Sequence, residues 1–212
     1  MKNQWKDKLW YAYGTSMTSI AEGKYVPVVE ELSGLRVVNL GRGGASLTPD
    51  GFGKGSMKRI IMNPDDGKEK ADLITIDVLP NEGAKIGDIY DTDDESFCGC
   101  FNQAIRYLQE TTRAQIVIII MIGANNTPPG DASNKRGIPQ FEFAEKIARL
   151  AHSNGLPVIN VFGECGLGYA RVKAGEYQED HIHLNDLGGK IMGKFIWSKL
   201  KDIPTFNGEL DM

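Results

Sequence analysis

The chain has 212 residues, a hydrophobic fraction of 41%, a charged fraction of 25% and a formal net charge of −4. That length and balance suit one α/β domain with a sizeable core, predicted over residues 1–212. The absence of a long basic cluster argues against a nucleic-acid partner, the longest apolar run (Ile116 to Ile122) is too short to span a bilayer, and three cysteines (Cys98, Cys100, Cys165) make no disulfide framework.

The first segment, MKNQWKDKLW, is charged and lacks a signal-peptide core. The chain as written is therefore expected in the cytoplasm, or in the periplasm or outside the cell had a leader been removed. The apolar run Leu9–Tyr13 predicts a first strand, and Ile20–Leu32, with Val28, Val29 and Leu32, predicts a helix. Arg36–Leu40 predicts a second strand, and Gly51–Met62 a further short helix. Leu73–Val78 predicts a third strand. The face Phe101, Ala104, Ile105 and Leu108 predicts a helix over Phe97–Gln109. A fourth strand is expected over Gln115–Ile122, a helix over Phe141–Ala151, a fifth strand over Pro157–Phe162 and a last helix over Leu184–Leu200. Strands of this β-branched, nearly continuous apolar kind belong to parallel sheets covered on both faces. Their alternation with helices predicts a three-layer α/β/α sandwich on a five-stranded parallel sheet. Ligands of such sheets sit beyond the carboxyl ends of the strands, where Gly14, Gly41, Asn81 and Asn125 all fall.

Four short segments carry chemistry. In YAYGTSMTS (11–19), Ser16 follows the first strand in a turn expected to open a helix. There its hydroxyl would be exposed and free helix N–H groups could hold an anion. A serine in that place is also an ordinary N-cap, and Thr15, Thr18 and Ser19 compete with it. The pattern is not G-x-S-x-G. In EDHIHLND (179–186), Asp180 and His183 are three residues apart. On a tight turn the carboxylate can hold one ring nitrogen while the other takes a proton from a serine. The same loop could simply cap the last helix through Asn185 or Asp186. Asp180, His181 and His183 could instead bind a metal, although no third histidine or carboxylate-rich helix supports one. In NLGRGGAS (39–46), the glycines allow close approach to a ligand and a backbone N–H for an oxyanion, without matching a phosphate-binding motif. In IDVLPNEG (76–83), Asn81 could donate a side-chain hydrogen bond to developing charge, or serve as a turn residue beside Pro80.

Together and in this order, the four segments resemble the SGNH hydrolases, also called the GDSL esterase/lipase family. The resemblance runs from Tyr13 to about Ile191. It implies a flavodoxin-like α/β/α fold, no metal or other cofactor, and hydrolysis of a lipid, small-molecule or carbohydrate ester. It implies Ser16 as nucleophile, His183 as base and Asp180 as the partner of His183. It also implies an oxyanion hole from the N–H groups of Ser16 and Gly44 with the side chain of Asn81. Two positions depart from the family pattern. Thr15 stands where an Asp is usual, and Leu79 and Glu82 replace the outer members of Gly-x-Asn-Asp. MIGANN (121–126) matches that third block better but follows the fourth strand, which makes Asn125 the rival of Asn81. The polar loops at Asp91–Glu95 and Asn125–Arg136 favour a small acyl group, such as acetyl, on a polar alcohol over a lipid. Trp10, Tyr90 and Tyr169 could stack on a sugar, with plain packing as the alternative. Other readings are a lipase-type acylhydrolase, a catalytically silent binding module on the same fold, a metal-dependent hydrolase and a flavin or nucleotide binder.

Overall fold

The computed structural model describes residues 3–49, 55–79, 84–122, 136–168, 175–178, 180 and 182–205. Five parallel strands form one sheet: β1 (Leu9–Gly14), β2 (Arg36–Gly41), β3 (Leu73–Val78), β4 (Gln115–Ile120) and β5 (Val158–Asn160), in the order β2-β1-β3-β4-β5. This is the flavodoxin-like order, with its switch point between β1 and β3. Every residue of β3 and β4 is buried, as expected of central strands covered on both faces.

The period of two sorts the strand side chains into two cores. Tyr11, Tyr13, Ile74, Ile76, Ile116 and Ile118 face α3 (Phe97–Thr111) and α4 (Gln140–Ser153). Trp10, Ala12, Leu73, Val117 and Ile119 face α1 (Tyr25–Ser33) and α6 (Asp186–Leu200). Trp10 is wholly buried and its Nε1–H donates to Thr75 Oγ1 at 2.8 Å, so packing, not sugar stacking, is its role. Short helices α2 (Met57–Ile61) and α5 (Val161–Glu164) complete the described elements with a 3₁₀ turn at Lys68–Lys70. Cys98 and Cys100 are buried, and burial pushes the Cys98 thiol up to about 12, leaving it without thiolate character.

Two boundaries differ from the expectation in ways that matter for the site. The helix predicted from Ile20 begins only at Tyr25. The chain from Thr15 to Gly23 is instead a compact double turn, held by Ser19 N–H to Thr15 O at 3.1 Å and Gly23 N–H to Ser19 O at 2.7 Å. Ser16 therefore does not open a helix, and among the described residues no helix N-terminus stands behind it. At the other edge, the expected strand 157–162 pairs over only three residues. The Asn160 side chain accepts from Gly163 N–H at 2.9 Å and turns the chain into α5.

Close packing of α6 on α1 sets the position of the last functional segment. A Cβ on Gly193 would lie 2.6 Å from Val28 Cβ, and one on Gly189 would lie 2.4 Å from Lys24 Cβ. These glycines, one helical turn apart, let the two backbones approach. Lys24 Nζ also reaches Asp186 at 3.3 Å. The start of α6 is thereby drawn against the turn that carries Ser16.

Candidate active site

The nucleophile turn leaves β1 at Gly14. An added Cβ there would fall 2.0 Å from Asp77 Oδ2, so only glycine lets the turn close over β3. The Thr15 N–H donates to both carboxylate oxygens of Asp77, at 3.1 and 3.0 Å. The Thr18 hydroxyl donates to Asp77 and stands 2.7 Å from the Tyr25 hydroxyl. From the other side, Asn39 Nδ2–H donates to Thr18 O at 2.6 Å and Asn39 Oδ1 accepts from Gly41 N–H at 2.9 Å. Gly41 itself sits where a Cβ would come within 2.5 Å of the Ser19 nitrogen. Arg42 N–H donates to Gly14 O at 2.9 Å. These contacts lock the NLGRGG segment onto the nucleophile turn. In the same segment Gly44 has φ 69°, a left-handed conformation that glycine adopts without strain.

The third piece is the loop before α6. An isolated bridge pairs Gln178 with Leu184, and Gln178 Nε2–H donates to Ile182 O at 3.1 Å. Asn185 caps α6 by accepting from Gly188 N–H at 2.9 Å, and its Nδ2–H donates to Glu176 O at 2.9 Å. The loop thus does both things its sequence allowed: Asn185 caps the helix, and Asp180 is free for His183.

Asp180 Oδ1 accepts from the N–H groups of Ile182 and His183, at 3.1 and 2.7 Å. Its Oδ2 lies 2.6 Å from His183 Nδ1. The His183 N–H, foremost among these bonds, holds the Asp180 carboxyl down to about 2. With a proton on Nδ1 donated to Asp180, Nε2 is an acceptor, and Ser16 Oγ lies 2.9 Å from it. The structure therefore brings Ser16, His183 and Asp180 into one hydrogen-bonded line across 167 residues of sequence separation. The Ser16 and Gly44 N–H groups have no acceptor among the described residues. Asn81 and Asn125, the rivals for the side-chain donor, lie outside the described residues, as do His181 and Tyr169.

Two carboxylates join the site without any motif to announce them. Glu22 Oε2 lies 3.7 Å from His183 Nε2, and a Cβ on Gly43 would stand 3.4 Å from the same oxygen. It occupies the corner between the imidazole and the glycine turn. Asp77 lies fully buried beneath the turn, and burial pushes its carboxyl up to about 6 despite the bonds from Thr18 and Thr15. In the sequence Asp77 interrupts an apolar strand, ITIDV, and that interruption is the only signal for it.

No family model matches the sequence, and no curated protein matches it either. Solved structures do. A protein from Lactobacillus plantarum superposes with TM-score 0.73 at 23% identity, over 92% of this chain and 97% of that one. The lipase/acylhydrolase from Enterococcus faecalis gives TM-score 0.62 at 17% identity, over 92% of this chain and 95% of that one. A Bacteroides ovatus structure that carries the name GDSL-like lipase gives TM-score 0.67 at 12% identity, over 93% of this chain and all 100% of that one. Likeness at such identities is likeness of fold: the chain has the five-stranded parallel α/β fold of the SGNH, or GDSL-like, hydrolases.

Proposed function

We propose that this chain is a serine ester hydrolase that works through an acyl-enzyme. One observation carries the reading: Ser16 Oγ stands 2.9 Å from His183 Nε2 while His183 Nδ1 stands 2.6 Å from Asp180 Oδ2. Ser16 attacks the ester carbonyl as His183 takes its proton, and Asp180 fixes the tautomer and stabilises the imidazolium. The oxyanion forms beside the N–H groups of Ser16 and Gly44, with Asn81 as the proposed side-chain donor. The imidazolium gives its proton to the leaving alcohol. Water, activated by the same imidazole, then releases the acid. Because Ser16 heads no helix, the oxyanion is held by individual turn amides rather than by a helix dipole.

Treatment with a fluorophosphonate tests the reading without the natural substrate. A single adduct on Ser16, absent in His183→Ala, is the expected result. No adduct on folded protein would overturn the reading and favour a silent binding module.

For the substrate, we propose a small acyl group, such as acetyl, on a polar alcohol. Glu22 supports this, since a carboxylate 3.7 Å from His183 Nε2 can accept hydrogen bonds from hydroxyls of a polar substrate. A second reading, a longer acyl chain, is favoured by Ile20, which is 86% exposed on the nucleophile turn. With Ala21, Val26, Pro27 and Val37 it lines a shallow groove. Matched p-nitrophenyl acetate and octanoate distinguish the two. The small-acyl reading expects kcat/KM to favour acetate, and a preference for octanoate of about tenfold would transfer the assignment to the acylhydrolase reading.

A further inference from the structure

We propose that Asp77 is the positioning residue of the nucleophile: through the Thr15 amide and the Thr18 hydroxyl, its buried carboxylate holds the turn that presents Ser16 to His183. The proposal rests on the serine-hydrolase reading above.

Asp77 occupies a position on β3 flanked by Ile76 and Val78, where an apolar side chain would serve the core alone. A carboxylate there has lost its hydration, a cost that packing does not require. Among the described residues it makes no ion pair with Lys, Arg or His. What it has instead is the nucleophile turn. It accepts the N–H of Thr15, the residue just before Ser16, and the hydroxyl of Thr18, two residues after it. The two anchor points straddle Ser16, so the carboxylate fixes the turn on both sides of the reacting hydroxyl. The titratable group set against it is Tyr25 of α1, whose hydroxyl meets the same Thr18 oxygen. On β4 its neighbour in register is Ile119. The chain Asp77–Thr18–Tyr25 thereby ties the turn to α1, and α1 is the helix against which α6 brings His183. Burial raises this carboxyl to about 6, while the Thr18 hydroxyl and the Thr15 N–H, both donors to it, favour its ionised form.

An ionised carboxylate only accepts hydrogen bonds, whereas a carboxamide must offer one N–H₂ face. Asp77→Asn therefore turns a donor either against Thr15 N–H, where two donors clash, or towards Thr18 Oγ1, whose hydroxyl must then reverse and accept; either way the charge to which both anchor points donate is gone. Misplacing a nucleophile by an ångström or less costs about 10- to 100-fold in the chemical step. The test measures the fluorophosphonate labelling rate at Ser16, and kcat and KM for p-nitrophenyl acetate, each per labelled site. Asp77→Asn is expected to lower the labelling rate and kcat by about 10- to 100-fold while KM moves by no more than about threefold. Thr18→Val, which removes only the hydroxyl donor, is expected to act in the same direction, and Thr18→Ser to restore the rate. The Thr18 pair carries the test should Asp77→Asn fail to fold. Folded variants that melt earlier but label at the wild-type rate would make Asp77 merely structural and overturn the proposal. Wild type that fails to label would overturn the serine-hydrolase reading itself, which separates that failure from this one.

Discussion

Ser16→Ala is expected to reduce turnover of a small activated ester by about 10⁴- to 10⁶-fold, to a residue of catalysis owed to binding and the oxyanion site. His183→Ala is expected to fall to the same level, and the double variant no further. The reason lies in the geometry. Ser16 Oγ has His183 Nε2 at 2.9 Å as its proton acceptor. A serine without a base is a poor nucleophile, and a base without the serine has nothing to activate but water. Groups that act as one unit are non-additive, so three equal losses are the signature of a shared step. Steady-state kinetics on the three proteins, checked for folding by their far-ultraviolet spectra, measure this. Losses that multiply in the double variant would mean that Ser16 and His183 act in separate steps.

Asp180→Asn is expected to cost about 10³- to 10⁴-fold in kcat with Ser16 still in place. The asparagine would keep an acceptor for the Ile182 and His183 N–H groups, now at 3.1 and 2.7 Å, so the loop is retained. What it loses is the charge beside Nδ1, and with it both the tautomer and the stabilisation of the imidazolium. The pH dependence has a definite sign. The folded-state carboxyl is depressed to about 2, below its ordinary value. The contribution of Asp180 to stability is therefore full above the ordinary carboxylate value of 3.8, and it is lost progressively as pH falls from there through about 2. Loss of activity on mild acidification is accordingly not expected to come from Asp180. A pH series of kcat/KM for wild type, read with denaturant unfolding at the same pH values, checks the assignment. An acid limb accompanied by unfolding near pH 4, abolished in Asp180→Asn, would contradict it.

Much of this protein was legible in its sequence. The β-branched runs at Leu73–Val78 and Gln115–Ile120 can be buried on both faces only in a covered parallel sheet, and the amphipathic face of Phe97–Thr111 has only that sheet to cover. The pair Asp180 and His183 was visible because its chemistry depends on local spacing: three residues suffice for a carboxylate to reach an imidazole. Ser16, one of four neighbouring hydroxyls, stood out only through the order of the four segments and their resemblance to a known family. Helix onset in the first loop falls later than its periodicity predicts, since the apolar residues between Ile20 and Leu32 carry a helical period that continues across a turn closed by Ser19 and Gly23. β5 is shorter than its apolar run predicts for a related reason: Asn160 caps α5 within that run, and a cap is decided by one side-chain bond rather than by periodicity.

Only the tertiary structure decided the rest. That Gly189 and Gly193 of α6 meet Lys24 and Val28, and so carry His183 to Ser16, depends on a helix contact between segments some 165 residues apart. That Glu22 faces the imidazole depends on the turn being a turn and not a helix. That Asp77 lies beneath Ser16 depends on β1 and β3 being neighbours at the switch point of the sheet. Sequence determines what each segment can do alone, because propensity and spacing are local. Which charges end up facing one another is fixed by packing, where distances in space have no counterpart along the chain.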